Sequence, residues 1–150
     1  MPKIKALVEA EFIEAHLKGK EELIAEELSD LVTEVANIYQ ANIKREAPVN
    51  KQKGGPSAGT LQSSIRVEHE GDFKAKVFQD GNLAPYAKII LKGRGKVVPK
   101  TKKALFWPGL SHPVKSSRAV KANPFWDRGV KNSQGEVNAE IERFKKIITG

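Results

Sequence analysis

The chain has 150 residues, with 26 lysines and arginines, 18 aspartates and glutamates, and no cysteine. A chain of this length buries roughly 70% of the surface that its unfolded form exposes, so we expect one domain over residues 1–150 that folds without disulfides or metals. The absence of cysteine excludes disulfides, thiolate metal ligands and cysteine nucleophiles. Acidic residues interrupt the first apolar stretch, and no stretch approaches the roughly 18 apolar residues of a membrane span. We therefore expect no signal peptide and no membrane helix, and a soluble protein that is intracellular when made.

The net charge of +8 is unevenly distributed along the chain. Residues 1–47 carry a net charge of −4, residues 48–122 carry +11 and residues 123–150 carry +1. The sequence thus predicts an acidic helical arm followed by a basic middle, which can attract a polyanion or an acidic protein surface. The acidic part of one copy could equally meet the basic part of the next copy.

The sequence predicts a long amphipathic helix from Glu21 to about Glu46, in which apolar residues recur at three- and four-residue steps. Acidic residues in its first turns, and Lys44 and Arg45 near its end, complement the helix dipole. Pro48 ends it, because the residue before a proline avoids helical dihedrals. Residues 2–17 have apolar positions at helical spacing, but their start also fits an edge strand, so both structures stay open.

Strand patterns follow the long helix. Residues 61–70 and 74–79 alternate around a Gly71-Asp72 turn, which predicts a hairpin. Further along, we expect a short helix over residues 85–91, a flexible basic loop or ribbon over residues 92–103, and two more strands near residues 104–107 and 114–120 that could pair with each other.

The C-terminal part is predicted to be helical. Asn123 and Pro124 cap a short helix with Phe125 and Trp126 on its inner face, and a second amphipathic stretch covers residues 137–148. The predicted fold class is α+β, with a long N-terminal helix, an antiparallel sheet of about four short strands, and a C-terminal helix packed on one face.

No group of residues in the sequence predicts catalysis. The candidate bases His16, His69 and His112 fall in different elements, and Asp72 and Asp80 flank turns, where we interpret them as turn caps. The lysine-rich segment lacks the glycine and Lys-Ser/Thr spacing of a phosphate-binding loop. We expect no catalytic, cofactor-binding or metal-binding residues, and no cofactor.

The basic loop is the candidate interface. Its cations are Lys92, Arg94, Lys96, Lys100, Lys102 and Lys103. They could contact phosphates, which gives the alternative function of a nucleic-acid-binding domain that also uses residues 115–121. However, no aromatic residue alternates with these lysines, and Phe106 and Trp107 are expected in the core, which disfavours a base-stacking surface. A loop that becomes ordered on a protein partner is the preferred interpretation.

Three segments in a fixed order carry a resemblance to a known family. They are REAPV with GTLQSSIRV (residues 45–49 and 59–67), PYAKIILKG (85–93), and KALFWPG with KANPFWDRGV (103–109 and 121–130). Together they resemble the gene-product-ten-like tail-component family of tailed phages and prophages. The framework positions that match the family pattern are Leu61, Ser64, Ile65, Tyr86, Ala87, Gly93, Pro124 and Phe125. The family's Thr-Gly is inverted to Gly59-Thr60, its glutamate falls on Leu91, and its threonine falls on Arg94.

The resemblance implies a virion structural protein of the head–tail junction, acting in tail completion, as a tail terminator or as a neck protein, and catalysing nothing. It implies tail-tube, connector or adaptor proteins as partners, and a homo-oligomeric ring such as a hexamer when assembled, although the isolated protein can be monomeric. The expected location is the virion tail or neck, and the host cytoplasm during assembly. The basic loop then acts in assembly, with DNA as a further contact and no membrane involved.

Overall fold

The fold is described from a computed structural model over residues 20–50, 58–101, 103–106 and 112–150. The elements in chain order are α1 (Glu21–Glu46), α2 (Thr60–Ser63), β1 (Ile65–His69), β2 (Ala75–Gln79), α3 (Ala87–Lys92) and α4 (Phe125–Thr149). The predicted α+β class and the long first helix are confirmed. The question of helix or strand over residues 2–17 lies outside the described residues.

The long helix α1 is the central element. Its buried side chains form one stripe, which includes Leu31, Val35, Tyr39 and Ile43 at four-residue intervals. The helix ends at Ala47, whose ψ of 129° is extended because the next residue is a proline. One side of α1 lies against both strands, and another side lies along α4.

The strands β1 and β2 form one antiparallel hairpin, with Val67 opposite Val77. The predicted turn is confirmed at Gly71, whose φ of +86° favours glycine. The expected sheet of about four strands is wrong for the described residues, because the two later segments make isolated bridges and not strands. Those segments are rich in lysine and serine and offer no continuous apolar face to bury, so the ladder does not extend.

The C-terminal helix α4 is continuous over 25 residues, where the sequence predicted two helical stretches. It runs antiparallel to α1: Lys20 Nζ donates to the Gly150 carbonyl at 3.1 Å, and Arg128 Nε lies 2.8 Å from Glu46 Oε2 at the opposite end. The helix packs mainly along α1, which itself covers the hairpin. The C-terminal helix was expected to pack on one face of the sheet. In the structure the layers are instead the sheet, then α1, then α4.

The backbones of α1 and α4 approach each other closely at Gly129. A Cβ atom on Gly129 would lie 2.5 Å from the Cα atom and 2.8 Å from the nitrogen of Ile43. Ser133, one turn later, is 0% exposed, and its hydroxyl donates to the Gly129 carbonyl at 2.7 Å. The contact therefore needs a residue without a side chain at this position.

The start of α4 is anchored by two aromatic residues, as the sequence predicted. Phe125 is 0% exposed and Trp126 is 5% exposed, and both belong to the hydrophobic core. The indole Nε1 of Trp126 is buried and has no hydrogen-bond partner within the part of the chain that the structure describes. Trp126 therefore stabilises the fold through apolar burial.

The close helix contact predicts opposite effects for two glycines of the same helix. Gly129→Ala should destabilise the protein by about 1–3 kcal/mol, because the added methyl group overlaps the α1 backbone. Gly135→Ala should stabilise it by up to about 1 kcal/mol, because a Cβ there meets no atom within 4 Å and alanine favours the helix. Chemical denaturation measures both values, and a Gly129→Ala protein as stable as the Gly135→Ala protein would contradict the contact.

Trp126→Ala should destabilise the protein by about 3–5 kcal/mol, because a large core side chain is removed. Trp126→Phe should lose less stability, since phenylalanine keeps an aromatic ring in the core and removes the buried indole N–H group. Urea unfolding of both variants measures the difference. An alanine variant that unfolds like the wild type but no longer assembles would instead identify Trp126 as an interface residue.

Candidate functional site

The chain between α3 and α4 forms an irregular two-stranded structure, here called the ribbon (described residues between 93 and 122). Three residue pairs exchange both backbone hydrogen bonds: Arg94 with Val120 at 2.9 and 2.8 Å, Val97 with Ser117 at 3.1 and 2.8 Å, and Leu105 with Val114 at 2.7 and 2.9 Å. The segment predicted as a basic loop or ribbon over residues 92–103 contributes two of these bridge residues, Arg94 and Val97.

The ribbon contains a bulge. Between the second and third bridges, the outgoing strand has the described residues 98–101 and 103–104, whereas the return strand has only residues 115–116. Such an excess of residues interrupts the ladder and redirects side chains. The bulge includes Lys100 and Lys103, which are exposed, while Lys102 lies outside the described residues.

The base of the ribbon is fixed to the end of α3. Gly93 has a φ of +70°, and a Cβ on it would lie 2.6 Å from the Val120 oxygen and 2.7 Å from the Ala122 nitrogen. The Asn123 amide donates to the Ile90 carbonyl at 2.9 Å. A glycine is needed at position 93 because the return strand passes directly against its backbone.

The ribbon is a region of unbalanced positive charge. Between Gly81 and Trp126 the sequence has ten lysines and arginines and no aspartate or glutamate. The predicted interface cations that the structure describes are all exposed: Lys92, Arg94, Lys96, Lys100 and Lys103. None of them forms an ion pair with a described carboxylate, and Arg94 donates instead to the Ser117 hydroxyl at 2.6 Å.

Three further cations were predicted as contact residues only for the nucleic-acid alternative. Lys115, Arg118 and Lys121 are exposed on the return strand, and the bridges place that strand beside residues 94–97. The signal that joins the two sets in the sequence is the acid-free stretch, which continues to Trp126 without interruption.

The expected core position of Phe106 is wrong. Its side chain is 65% exposed, and Val98 on the same strand is 56% exposed. A two-stranded ribbon has no second layer to cover such side chains, so an apolar run that resembles a core strand stays open to solvent. Trp107 lies outside the described residues.

Most family-motif positions support the body next to the ribbon. Leu61, Ser64, Ile65, Ala87 and Phe125 are at most 3% exposed, whereas Pro124 is exposed just before α4. The Ser64 hydroxyl donates to the Leu61 carbonyl at 2.6 Å and accepts from Gln79 Nε2 at 3.2 Å. These side chains join α2, the hairpin and the turn that leads into α3.

The motif segments meet at a groove of about 490 Å³ at the ribbon base. Its walls include Pro48 and Val49 after α1, Leu61 of α2, Tyr86 and Ile90 around α3, and Arg94 and Val120 of the ribbon. Burial raises the pKa of the Tyr86 phenol at this groove. Residues 51–57, which connect two of these walls along the chain, lie outside the described residues.

The polar residues considered for chemistry are dispersed. His16 lies outside the described residues, while His69 and His112 are exposed in separate segments. Asp80 Oδ1 accepts from the Asn82 amide at 2.9 Å, which is the predicted turn-capping role. Within the described ranges, no three His, Asp or Glu side chains are placed to hold a metal, and no helix has the length and apolarity to cross a membrane.

Comparisons with known proteins agree with the motif order. A family model described as "Bacteriophage HK97-gp10, putative tail-component" matches residues 10–104, which include α1, the hairpin, α3 and the outgoing strand of the ribbon. The resemblance predicted from residues 121–130 lies beyond this match. Searches of curated proteins and of solved structures found no match. Since the family model covers well over half of the chain, the protein belongs to the HK97-gp10-like family of phage tail components.

Proposed function

We propose that this tail component is a structural assembly protein of the phage head–tail junction, which binds neighbouring proteins through its ribbon. Family membership makes it a phage tail component and implies a location in the virion. The observation that carries the proposal is the ribbon, which is fixed at Gly93 and presents exposed cations without ion-pair partners among the described carboxylates.

The specific role is tail completion, tail termination or a neck position, with tail-tube, connector or adaptor proteins as partners. We propose that residues 1–150 act as one domain, catalyse no reaction, and assemble from the host cytoplasm into a homo-oligomeric ring. A ring requires two different surfaces on each subunit that meet by rotation. The separation of acidic and basic segments along the sequence supports such an arrangement.

The ribbon has the mixed character of a protein-binding surface. Exposed ion pairs contribute only about 0–1 kcal/mol each, so charge alone gives modest affinity. The exposed side chains of Val98 and Phe106 lie on the same strand as the cations and supply apolar area that a partner can bury. Charge then sets the association rate and the register of the contact. The nucleic-acid alternative rests on charge alone and stays a prediction.

Removing ribbon charge should impair partner binding and leave folding intact. Lys96→Ser/Lys100→Ser should reduce co-purification with tail-tube and connector proteins of the same phage, and adding Lys102→Ser and Lys103→Ser should reduce it further. The melting temperature should stay within a few degrees, because exposed lysines far from the core contribute little to stability. The control Lys131→Ser/Lys146→Ser removes the same charge from exposed positions of α4 and should bind normally.

Two results would contradict this assignment. One is a substantial loss of stability in the ribbon variant, which would place these lysines in the packed body. The other is equal binding by ribbon and control variants, which would locate the partner site elsewhere. Tight DNA binding at about 50 mM salt that disappears in the ribbon variant alone would favour the nucleic-acid function instead.

A further inference from the structure

A second charged surface lies away from the ribbon, on α1 and the turn of the hairpin. Glu22, Glu26 and Asp30 recur at four-residue intervals and therefore line one side of α1, and Asp72 lies in the turn. All four are exposed, and none forms an ion pair with a described cation. We call these four residues the acidic face. Like charges one turn apart repel one another, so a cation supplied from outside would relieve this face.

Two other acidic residues of α1, Glu27 and Glu34, differ from the acidic face in that a cation of α4, Arg143, lies near them. Glu140 accepts a hydrogen bond from Arg143 and raises the pKa of that guanidinium, and the charges of Glu27 and Glu34 raise it further. Glu27 and Glu34 thus belong to the side of α1 that faces α4. The acidic face lies toward the hairpin turn, and no cation of the described residues forms an ion pair with it.

Apolar surface accompanies the acidic face. A shallow groove of about 290 Å³ runs between α1 and the turn, and Glu26, Asp30, Asp72 and Phe73 are among its lining residues. Phe73 is 51% exposed, and Leu23 beside the acids on α1 is 40% exposed. An exposed aromatic ring surrounded by charged residues has the arrangement of an interface centre with a polar rim.

We propose that the ribbon of one copy docks on the acidic face of a second copy. The ribbon offers exposed Val98 and Phe106 among cations, and the acidic face offers exposed Phe73 and Leu23 among carboxylates, and neither set forms ion pairs within the described residues. Both surfaces belong to the same chain and have opposite charge. One contact between two copies therefore pairs the cations of the ribbon with the carboxylates of the acidic face. This inference rests on the proposed function and names the surfaces that its assembly uses.

The contact joins two different surfaces of the chain. Each copy can therefore use its ribbon to bind one neighbour and its acidic face to bind another. Repetition of this contact closes into a ring or extends into a chain. Because the charged groups are exposed, association should weaken steeply as salt rises from about 50 to 500 mM.

A charge exchange between the two surfaces tests the contact. The ribbon variant is Lys96→Glu/Lys100→Glu, and the face variant is Glu26→Lys/Asp30→Lys. In sedimentation velocity at about 50 mM salt, the wild type should self-associate and each variant alone should associate much more weakly. An equimolar mixture should associate again, because the unchanged ribbon of the face variant fits the unchanged acidic face of the ribbon variant.

Two further variants separate charge from apolar contact. Lys131→Glu/Lys146→Glu changes the same number of charges on α4 and should associate like the wild type. Phe106→Ser keeps every charge and, because its side chain is exposed, should fold normally while weakening self-association by about tenfold. Circular dichroism of each variant checks that the fold is retained, and restored association in the mixture shows it independently.

Three outcomes overturn the contact: a wild type that stays monomeric at low salt and about millimolar concentration, a ribbon or face variant that associates like the wild type, and folded variants whose mixture stays monomeric. Co-purification with tail-tube and connector proteins reports on the proposed function separately. A monomeric wild type that still binds those proteins refutes this contact and leaves the proposed function standing. Self-association without such binding supports this contact and refutes the proposed binding of tail-tube and connector proteins.

Discussion

The close contact between α1 and α4 at Gly129 is the constraint on which the rest of the structure depends. With a hydrogen atom as the side chain of Gly129, the α4 backbone can lie directly against Ile43. The seam that this allows extends from Lys20–Gly150 at one end to Glu46–Arg128 at the other. Because α1 also covers the hairpin, it packs against other elements on two sides. It therefore supports the chain segments that follow its ends.

The ribbon can carry unbalanced charge because it contributes little to this core. Its cations are exposed. Repulsion among them lowers the stability of the body little, because the base of the ribbon at Gly93 and Val120 separates them from the core. The body and the ribbon thus have separate tasks. Packing in the body determines the direction in which the ribbon leaves it, and the ribbon presents charge and apolar side chains to a neighbour. The groove beside Tyr86 and Arg94 lies at the junction of the two parts.

Much of the body could be predicted from sequence because its signals are local and periodic. The helix α1, the hairpin turn at Gly71 and the aromatic anchor at Trp126 all follow from spacing, turn chemistry or burial. The continuous α4 was missed because Gly135 and its polar neighbours conceal a helix that tertiary packing completes. Phe106 was misplaced because an apolar run has the same pattern in a core strand and in an uncovered ribbon. The bridge between Leu105 and Val114 agrees with the predicted pairing of residues 104–107 with residues 114–120, whereas the bridges of Arg94 and Val97 were not predicted, because a lysine- and glycine-rich segment has no strand pattern.

The proposal that the ribbon is the surface that binds tail-tube and connector proteins is tested most directly by excising the ribbon. Arg94 and Val120 exchange both backbone hydrogen bonds, so residues 95–119 can be replaced by an Asn-Gly turn that closes this pair. Co-purification of this variant with tail-tube and connector proteins is the measurement, with its melting temperature recorded alongside. The account predicts a melting temperature within a few degrees of the wild type and the loss of binding. Undiminished binding by the folded, ribbon-free protein would contradict it.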